Sequence, residues 1–284
     1  MKSGIRKELH SKQKGEKTMS NNFLNSKAVN EVADLTYTMW RMGWDEKNGG
    51  NISYILSDEE ASQIEASASR FVELENIPEN MIGKYILITA SGSNFRLVKE
   101  DIIHTLGVIK VEKAGYSICW GFEEENRPTS EIYMHLLSHS ARLKVDSTHR
   151  VVVHNHATEI SEMTFVHPLT DKAFTRTLWG IITECIIVFP DGIGVLPWMV
   201  CGNEEIGQAT AEKLADCRIV VWAHHGILAT GNSLNDAFGL IETVNKAAKI
   251  YMNTFDKRIT DGITTEQLKE VSAFFSIQPR EEFL

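Results

Sequence analysis

The sequence predicts an α/β fold in which helices pack against the faces of one central sheet. Helical and strand patterns are intermixed along the 284 residues, without the strict strand–helix–strand rhythm that is typical of a parallel sheet. No internal repeat is apparent at periods of about 20 to 50 residues. A chain of this length also fits a single large domain. We therefore expect one domain with a mixed or antiparallel sheet.

The individual helices and strands are predicted from the spacing of apolar side chains. The first helix is expected over 26–42 and ends at Gly43, whereas the polar segment 57–83 is expected to be a surface excursion. A helix over 128–144 would have Pro128 in its first turn. Further helices are predicted over 203–216, 233–255 and 265–275, capped by Asn203, Ser233 and Thr264, and strands over 51–56, 84–89, 107–111, 116–121, 150–156, 184–189 and 218–222.

The charge balance argues against broad classes of partner. Lys and Arg number 29 and Asp and Glu number 38, so the formal net charge is −9. A chain this acidic is a poor candidate for general binding to nucleic acid or to an anionic membrane. An anionic small-molecule substrate would need a local pocket of hydrogen-bond donors.

The four cysteines indicate a reducing compartment. They lie far apart and form no CxxC pair, so we expect reduced, mostly buried thiols in a cytoplasmic protein. The longest apolar stretch, 181–200, is interrupted by charged residues, Pro and Gly and cannot span a bilayer as one apolar helix. No signal-peptide pattern is visible at the start of the chain. The cysteines are Cys119, Cys185, Cys201 and Cys217.

Residues 1–18 differ in composition from the rest of the chain. They are polar and basic, and we expect a disordered, solvated extension rather than a nucleic-acid-binding arm. Codons for Lys14-Gly15-Glu16 can contain a purine-rich ribosome-binding sequence at a suitable distance from Met19. We therefore hypothesise that translation of the native gene starts at Met19, which leaves 19–284 as the folded domain. The intact mass of protein made from the native gene tests this hypothesis, and a mass that includes residues 1–18 would contradict it.

His154 and His156 form a candidate metal site at the end of a predicted strand. Alternate residues of a strand point to the same face, so the two imidazoles can converge on one ion. Such a pair alone is a weak signal, and a third ligand is needed. His224 and His225 follow the strand 218–222, and either could complete the site. Three neutral imidazoles suit zinc rather than magnesium and leave a coordination position open for catalysis.

A second set of candidate ligands lies on the predicted helix 128–144. Glu131, His135 and His139 are spaced i, i+4 and i+8 and share one helical face. For the two histidines we favour a polar helix stripe over a metal site. Glu131 stands apart, because it is expected in the first helical turn.

Three short segments are rich in hydroxyl and amide groups. Thr129 and Ser130 lie at an expected helix N-terminus, where free backbone N–H groups favour anions. A loop contains Ser91, and the segment 48–51 reads Asn-Gly-Gly-Asn, which permits close backbone approach. Each segment alone is more typical of a cap or a turn than of a phosphate site. Their occurrence together with the histidine pair requires an explanation.

The order of these motifs resembles the class II aldolase and adducin family of sugar-phosphate enzymes. The resemblance covers residues 25–284, and its most specific blocks are 43–51 and 184–199, continuing into 205–210. These longer blocks point to the branch that acts on L-rhamnulose 1-phosphate. The resemblance implies an α/β/α layered fold with a mostly antiparallel central sheet. It also implies a homotetramer with sites at subunit borders. In chain order the motifs are Asn48-Gly49-Gly50-Asn51, Ser91-Gly92, Pro128-Thr129-Ser130-Glu131, His154-x-His156 and His225-Gly226.

The resemblance also implies roles for single residues. Zinc would be bound by His154, His156 and a later histidine, and alignment on the His-Gly step selects His225 over His224. Glu131 would be the principal acid/base. Glu184 is the candidate for a second proton-transfer group, with a structural role as the alternative. Ser93 departs from the family pattern, in which a Lys often follows the Gly, so one positive charge is lost. The substrate and phosphate cradle would comprise Asn48, Gly50, Asn51, Ser91, Gly92, Thr129 and Ser130.

The implied reaction is reversible cleavage of L-rhamnulose 1-phosphate to dihydroxyacetone phosphate and L-lactaldehyde, a step in rhamnose catabolism. A zinc ion that polarises the ketone makes a Schiff-base lysine unnecessary. Cleavage of L-fuculose 1-phosphate and 4-epimerisation of a pentulose 5-phosphate are alternatives with similar chemistry. A non-catalytic, adducin-like interaction module is the alternative from a different class, against which the retained Glu131 and histidines argue. A metal-dependent hydrolase is less favoured, because no accompanying Asp pattern is present.

Overall fold

The computed structural model describes residues 21–64, 70–123, 125–258 and 261–284. The basic segment 1–18 and the hypothesised start at Met19 lie outside these residues. The helices are α1 (Asn21–Leu24), α2 (Lys27–Arg41), α3 (Asp58–Ala61), α4 (Ile102–Thr105), α5 (Ile132–Val145), α6 (Thr158–Val166), α7 (Asp171–Trp179), α8 (Glu184–Val188), α9 (Glu204–Lys213), α10 (Leu234–Thr254) and α11 (Thr265–Phe275). The strands are β1 (Asn51–Ile55), β2 (Arg70–Glu73), β3 (Tyr85–Thr89), β4 (Leu106–Glu112), β5 (Gly115–Gly121), β6 (Val151–Asn155), β7 (Gly194–Leu196), β8 (Ile219–Trp222) and β9 (Gly226–Gly231).

One sheet contains all nine strands of the described chain, in the order β2-β5-β4-β3-β1-β6-β9-β8-β7. Every neighbouring pair is antiparallel except β7 and β8, which are parallel. The expected mostly antiparallel sheet is confirmed. Strands β1 and β6 lie near the middle of the sheet, and β9 pairs with the other side of β6.

The sheet is covered by helices on both faces. Val151 and Val153 of β6 belong to the largest apolar cluster, together with residues of α2, α6, α8 and α10. Val152, between them in the chain, packs on the opposite face with Met134 of α5 and Ile206 of α9. This alternation is what a strand buried on both faces requires. The expected α/β/α layering is confirmed.

Most predicted helices are found with their expected starts. The side chains of Asn203, Ser233 and Thr264 each accept a hydrogen bond from a backbone N–H of the first helical turn. Thr264 and Gln267 form the expected capping box. The helix predicted over 128–144 begins later, at Ile132. Pro128 instead pairs with Ala90 in an isolated β-bridge, which places Glu131 at the N-cap of α5 rather than inside the first turn.

The strand predicted over 184–189 is wrong, since Glu184–Val188 forms helix α8. A short apolar run does not distinguish a strand from a buried helix, and tertiary packing decided the outcome. Cys185 and Ile186 are fully buried in the largest apolar cluster, while Glu184 at the helix start is exposed. The segment 57–83 also holds more structure than expected, because it contains helix α3 and edge strand β2. Helices α6 and α7 and strands β7 and β9 were not predicted.

The four cysteines are free thiols, as expected. Cys185 and Cys217 are buried, and Cys119 is partly buried. Cys201 is exposed and is the exception to the expected burial. Among the helices of the described residues, none has the length and the apolar content needed to cross a membrane.

Candidate metal centre and active site

Three histidines meet where two paired strands end. His154 is in β6 and His156 follows it, whereas His225 lies in the short turn between β8 and β9. Because β9 pairs directly with β6, the turn comes beside the end of β6. The ring nitrogens of the three histidines that could bind a metal lie within 4.8 Å of one another. Their ring centroids are 5.0 to 5.3 Å apart.

Hydrogen bonds orient two of these rings. Nδ1–H of His154 donates to the backbone oxygen of Ile227 (3.0 Å), which leaves Nε2 as the free nitrogen. Nδ1 of His156 lies 2.8 Å from a carboxylate oxygen of Glu46, which likewise leaves Nε2 free. Metal-binding histidines commonly donate their other ring N–H to a carbonyl or carboxylate in this way. The donor set therefore fits a divalent metal ion.

The electrostatics of the cluster also suit a metal. Burial, aided by the neighbouring imidazoles, holds the pKa of His154 well below its usual range. Burial also lowers the pKa of His225 to about 4. Both rings are therefore neutral at physiological pH, which is the form that binds a metal.

His224 lies outside the cluster, although it is adjacent to His225 in sequence. Its backbone has a positive φ of 61°, and its N–H donates to the side-chain oxygen of Thr164 (3.1 Å). Its ring packs on Phe165, with ring centroids 4.5 Å apart. The turn therefore directs the two neighbouring imidazoles to different sides.

Glu131 faces the histidine cluster from the start of α5. Its Oε2 lies 3.8 Å from Nε2 of His154 and accepts a hydrogen bond from the amide nitrogen of Asn51 (2.8 Å). The side chain is buried, and this burial raises the pKa of the carboxyl group. The hydrogen bond from Asn51 and the proximity of His156 oppose the rise. A buried carboxyl beside a metal site is a strong candidate for proton transfer.

A cleft of about 340 Å³ opens above these residues. All the residues predicted for the substrate and phosphate cradle line it. Glu184 is not among the lining residues of the single chain. Of the lining residues that were not predicted as site residues, three have a charged or nucleophilic side chain: Glu46, Lys47 and Cys201. Glu46 and Lys47 lie in the block 43–51, directly before Asn48 in sequence. This position could have identified them as site residues. The cradle residues at the cleft are Asn48, Gly50, Asn51, Ser91, Gly92, Thr129 and Ser130.

His135 and His139 are not part of this cluster. The two rings form a polar stripe on α5 that is fully buried and faces Ser53 of β1. Their ring nitrogens contact Ser53, and they do not converge with Glu131 on a common point in the described structure. Strand β1 presents polar side chains to α5, and these provide the hydrogen-bond partners that let the two imidazoles be buried.

The turn at 48–51 is shaped by two glycines. A Cβ on Gly49 would lie 2.8 Å from the ring of His156, so a side chain there would displace the imidazole. Gly50 has a positive φ of 76°, and a Cβ on it would lie 1.9 Å from the carboxylate of Asp45. The absence of side chains therefore lets the turn pack directly against the histidine cluster.

Asp45 beneath this turn is 5% exposed, and neither carboxylate oxygen has a hydrogen-bond partner among the described residues. Burial, aided by the charge of Glu46, raises its pKa from 3.8 to about 8. The folded chain therefore keeps this proton at a pH where the unfolded chain has lost it. The free energy of unfolding then falls as pH rises between about 4 and 8, by at most about 1.4 kcal/mol per pH unit.

We expect Asp45→Asn to remove this pH-dependent fall in the free energy of unfolding, because an amide does not ionise. The variant should gain stability relative to the parent chain as pH rises from about 5 to about 7.5. Urea unfolding of both proteins at the two pH values, with chelator present throughout, measures the difference. A constant difference across this pH range would contradict the raised pKa.

The family follows from comparison with known proteins. Residues 30–252 match the family model described as the class II aldolase and adducin N-terminal domain. The chain belongs to the class II aldolase and adducin family. This result confirms the family resemblance of the sequence motifs, and the match covers every residue of the histidine cluster and the cleft.

Relatives of this family match the chain along nearly all of its length. A rhamnulose-1-phosphate aldolase from Listeria welshimeri is 47% identical over 261 residues, which cover 89% of this chain and 93% of that protein. One from Listeria monocytogenes serotype 4a is 43% identical over 271 residues, covering 94% and 99%. A solved sugar-phosphate aldolase from Thermotoga maritima has a TM-score of 0.67 and 26% identity, covering 82% and 97%. The expectation of an aldolase, a carbon–carbon lyase, is confirmed.

Proposed function

We propose that this class II aldolase cleaves L-rhamnulose 1-phosphate reversibly to dihydroxyacetone phosphate and L-lactaldehyde, using one zinc ion per subunit. The observation that carries the proposal is the cluster of His154, His156 and His225 facing the buried carboxyl of Glu131. The similarity to rhamnulose-1-phosphate aldolases over nearly their whole length supports the choice of substrate.

The metal would be held by Nε2 of His154 and Nε2 of His156, with His225 as the third ligand. Three imidazoles with an open coordination position are typical of catalytic zinc. A zinc ion bound there would supply Lewis acidity at the ketone oxygen, which would stabilise the electron pair left on the donor carbon when its bond to the aldehyde carbon breaks. Glu46 would hold His156 in place through its contact with Nδ1.

Glu131 is proposed to move the proton at the donor carbon. In the cleavage direction, the broken C–C bond leaves its electron pair on the carbon that becomes the hydroxymethyl carbon of dihydroxyacetone phosphate. Protonated Glu131 gives that carbon its proton, and in the synthetic direction the carboxylate removes it. Burial, which raises the pKa of Glu131, favours the exchange of a proton near neutral pH.

The phosphate is proposed to bind to hydroxyl and amide groups of the cleft. Ser91, Thr129 and Ser130 supply hydroxyls, and Asn48 and Gly50 supply amide groups. Lys47 lines the same cleft and provides a positive charge near the site, which offsets the Lys that is replaced by Ser93. An acidic protein can bind an anion in this way, because the donors are local.

A second group must accept the proton of the substrate hydroxyl whose oxygen becomes the aldehyde oxygen. We propose Glu184 for this role, contributed by a neighbouring subunit of a homotetramer. Its exposure at the start of α8 supports this arrangement, as does its absence from the cleft lining of its own chain. We further propose that 19–284 forms the single aldolase domain and that the enzyme, with its free thiols, is cytoplasmic.

The proposed function is tested with a small panel of sugar phosphates. Aldehyde release from L-rhamnulose 1-phosphate, L-fuculose 1-phosphate and a pentulose 5-phosphate is followed with a coupled reductase, with and without chelator. We expect the fastest release from L-rhamnulose 1-phosphate and its loss with chelator, restored by zinc. Full activity without metal, or faster release from L-fuculose 1-phosphate, would contradict the proposal.

A further inference from the structure

A line of buried polar side chains leads from Glu131 into the protein, between β1 and α5. Alternate residues of a strand are about 6.8 Å apart, and residues four apart on a helix are separated by about 6 Å along its axis. The two spacings nearly match, so Asn51 and Ser53 of β1 can alternate with Glu131, His135 and His139. In the structure, the hydrogen bonds between side chains of β1 and α5 follow this alternation.

The first part of the line connects Glu131 with His135. The amide nitrogen of Asn51 donates to Oε2 of Glu131 (2.8 Å). The amide oxygen of the same side chain lies 2.6 Å from Nε2 of His135. Asn51 therefore bridges the proposed catalytic carboxyl and a fully buried imidazole.

The second part continues to the far end of α5. Oγ of Ser53 lies 2.6 Å from Nδ1 of His135 and 2.7 Å from Nε2 of His139. Nδ1 of His139 lies 2.8 Å from Nε2 of His149, which precedes β6. Ser53 and the rings of His135 and His139 are fully buried, and His149 is nearly so.

The direction of each hydrogen bond follows from the chemistry of the groups. Burial lowers the pKa of His135 and of His149 to about 3, and it holds the pKa of His139 well below its usual range. All three rings are therefore neutral, and each has one donor and one acceptor nitrogen. In its ionised form the carboxylate of Glu131 only accepts, so Asn51 turns its NH₂ towards it, as the contact with Oε2 shows.

The remaining directions are then determined one after another. The oxygen of Asn51 faces His135, so Nε2 of His135 carries the proton and Nδ1 accepts from the hydroxyl of Ser53. That hydroxyl has no second proton, so it must accept from Nε2–H of His139. Nδ1 of His139 in turn accepts from Nε2–H of His149. Every donor in the line points towards Glu131.

We propose that Ser53, His135 and His139 are positioning residues, whose aligned hydrogen bonds keep the amide N–H of Asn51 directed at the carboxyl of Glu131. The inference rests on the proposed function for its catalytic consequence. Without the hydroxyl of Ser53, the ring of His135 loses the donor that selects its tautomer. A His135 ring with its proton on Nδ1 would favour the opposite orientation of the Asn51 amide, with its oxygen against the carboxylate.

The test compares two buried Ser→Ala variants. Ser53→Ala removes the hydroxyl between the two imidazoles. Ser138→Ala is the matched control, because Ser138 lies on α5, is fully buried, and has a hydroxyl without a hydrogen-bond partner among the described residues. Loss of a partner that orients an active-site group typically costs about 10- to 100-fold in activity. We expect a loss of this size in kcat for Ser53→Ala, with KM and zinc content unchanged, and no loss for Ser138→Ala.

Several outcomes would overturn the positioning role. These are an unchanged kcat in Ser53→Ala, an equal loss in both variants, and a loss in Ser53→Ala that appears in KM or zinc content instead. Ser53→Thr, which keeps the hydroxyl on a β-strand residue, should recover most of the lost kcat.

A second measurement uses the parent protein, so it requires neither enzymatic activity nor a folded variant. Spectra of the zinc-loaded parent protein with ¹⁵N-labelled histidine report which ring nitrogen carries the proton. We expect His135, His139 and His149 to be neutral with the proton on Nε2 at neutral pH, and a proton on Nδ1 of His135 would overturn the inferred direction. Lack of aldolase activity in the parent protein would instead contradict the proposed function, while the spectra still decide the hydrogen-bond direction.

Discussion

Replacing His154 by Ala is expected to abolish metal binding and turnover together. His154 is buried and its Nδ1–H donates to the oxygen of Ile227, so packing and this hydrogen bond hold its Nε2 towards the cluster. Loss of a partner outside the coordination shell typically costs about 10- to 100-fold, and loss of a ligand should cost more. Zinc content by elemental analysis and aldehyde release from L-rhamnulose 1-phosphate measure the two effects.

The neighbouring pair His224 and His225 provides a matched control for this prediction. His224→Ala should retain zinc and turnover, because its ring packs on Phe165 outside the cluster. His225→Ala should lose both, as should His156→Ala. Zinc loss in His224→Ala with zinc retention in His225→Ala would reverse the ligand assignment. Full turnover of His154→Ala without zinc would contradict a metal-dependent mechanism.

Glu131→Gln is expected to leave zinc in place and to stop proton transfer. The amide has nearly the shape of the carboxyl group, and its oxygen can still accept the hydrogen bond from Asn51. A positioned acid or base contributes about 10²- to 10⁴-fold to a rate, so kcat should fall by about this factor. Zinc analysis and steady-state turnover of L-rhamnulose 1-phosphate check the two parts of the prediction.

Two results would contradict the role of Glu131. A variant that keeps the parent kcat would show that another group moves the proton. A variant that loses its zinc would show that Glu131 mainly holds the metal. Exchange of the donor-carbon proton of dihydroxyacetone phosphate with solvent isolates the step, since it requires no aldehyde.

The local part of the site could be predicted from the sequence. Alternation along a strand was enough to place His154 and His156 together, and the Asn-Gly-Gly-Asn segment was expected to allow close approach. Residue spacing alone left His224 and His225 equivalent, because the turn geometry that separates them depends on the pairing of β8 with β9. Strand β9 was not predicted, so its pairing with β6 could not be expected from the sequence.

The buried polar line shows a different limit of sequence reasoning. The shared face of Glu131, His135 and His139 was visible from helical spacing, but their partners Asn51 and Ser53 lie about 80 residues earlier in the chain. Only the packing of α5 on β1 brings the two sets together. The misassigned segment 184–189 has a similar cause, since its apolar run fits either a strand or a buried helix until the neighbouring helices are known.

The separation between strands and loops in this site has a consequence for substrate choice. The histidines proposed to bind the metal lie at the ends of central strands, whereas the residues proposed to recognise the sugar phosphate lie in the segments 48–51, 91–92 and 129–130. Connecting segments tolerate substitution better than a packed sheet does. Changes in the segments 91–92 and 129–130 are therefore expected to alter which sugar phosphate is accepted while the histidine cluster stays in place. The segment 48–51 leaves less room for change, because a side chain at Gly49 would displace the imidazole of His156.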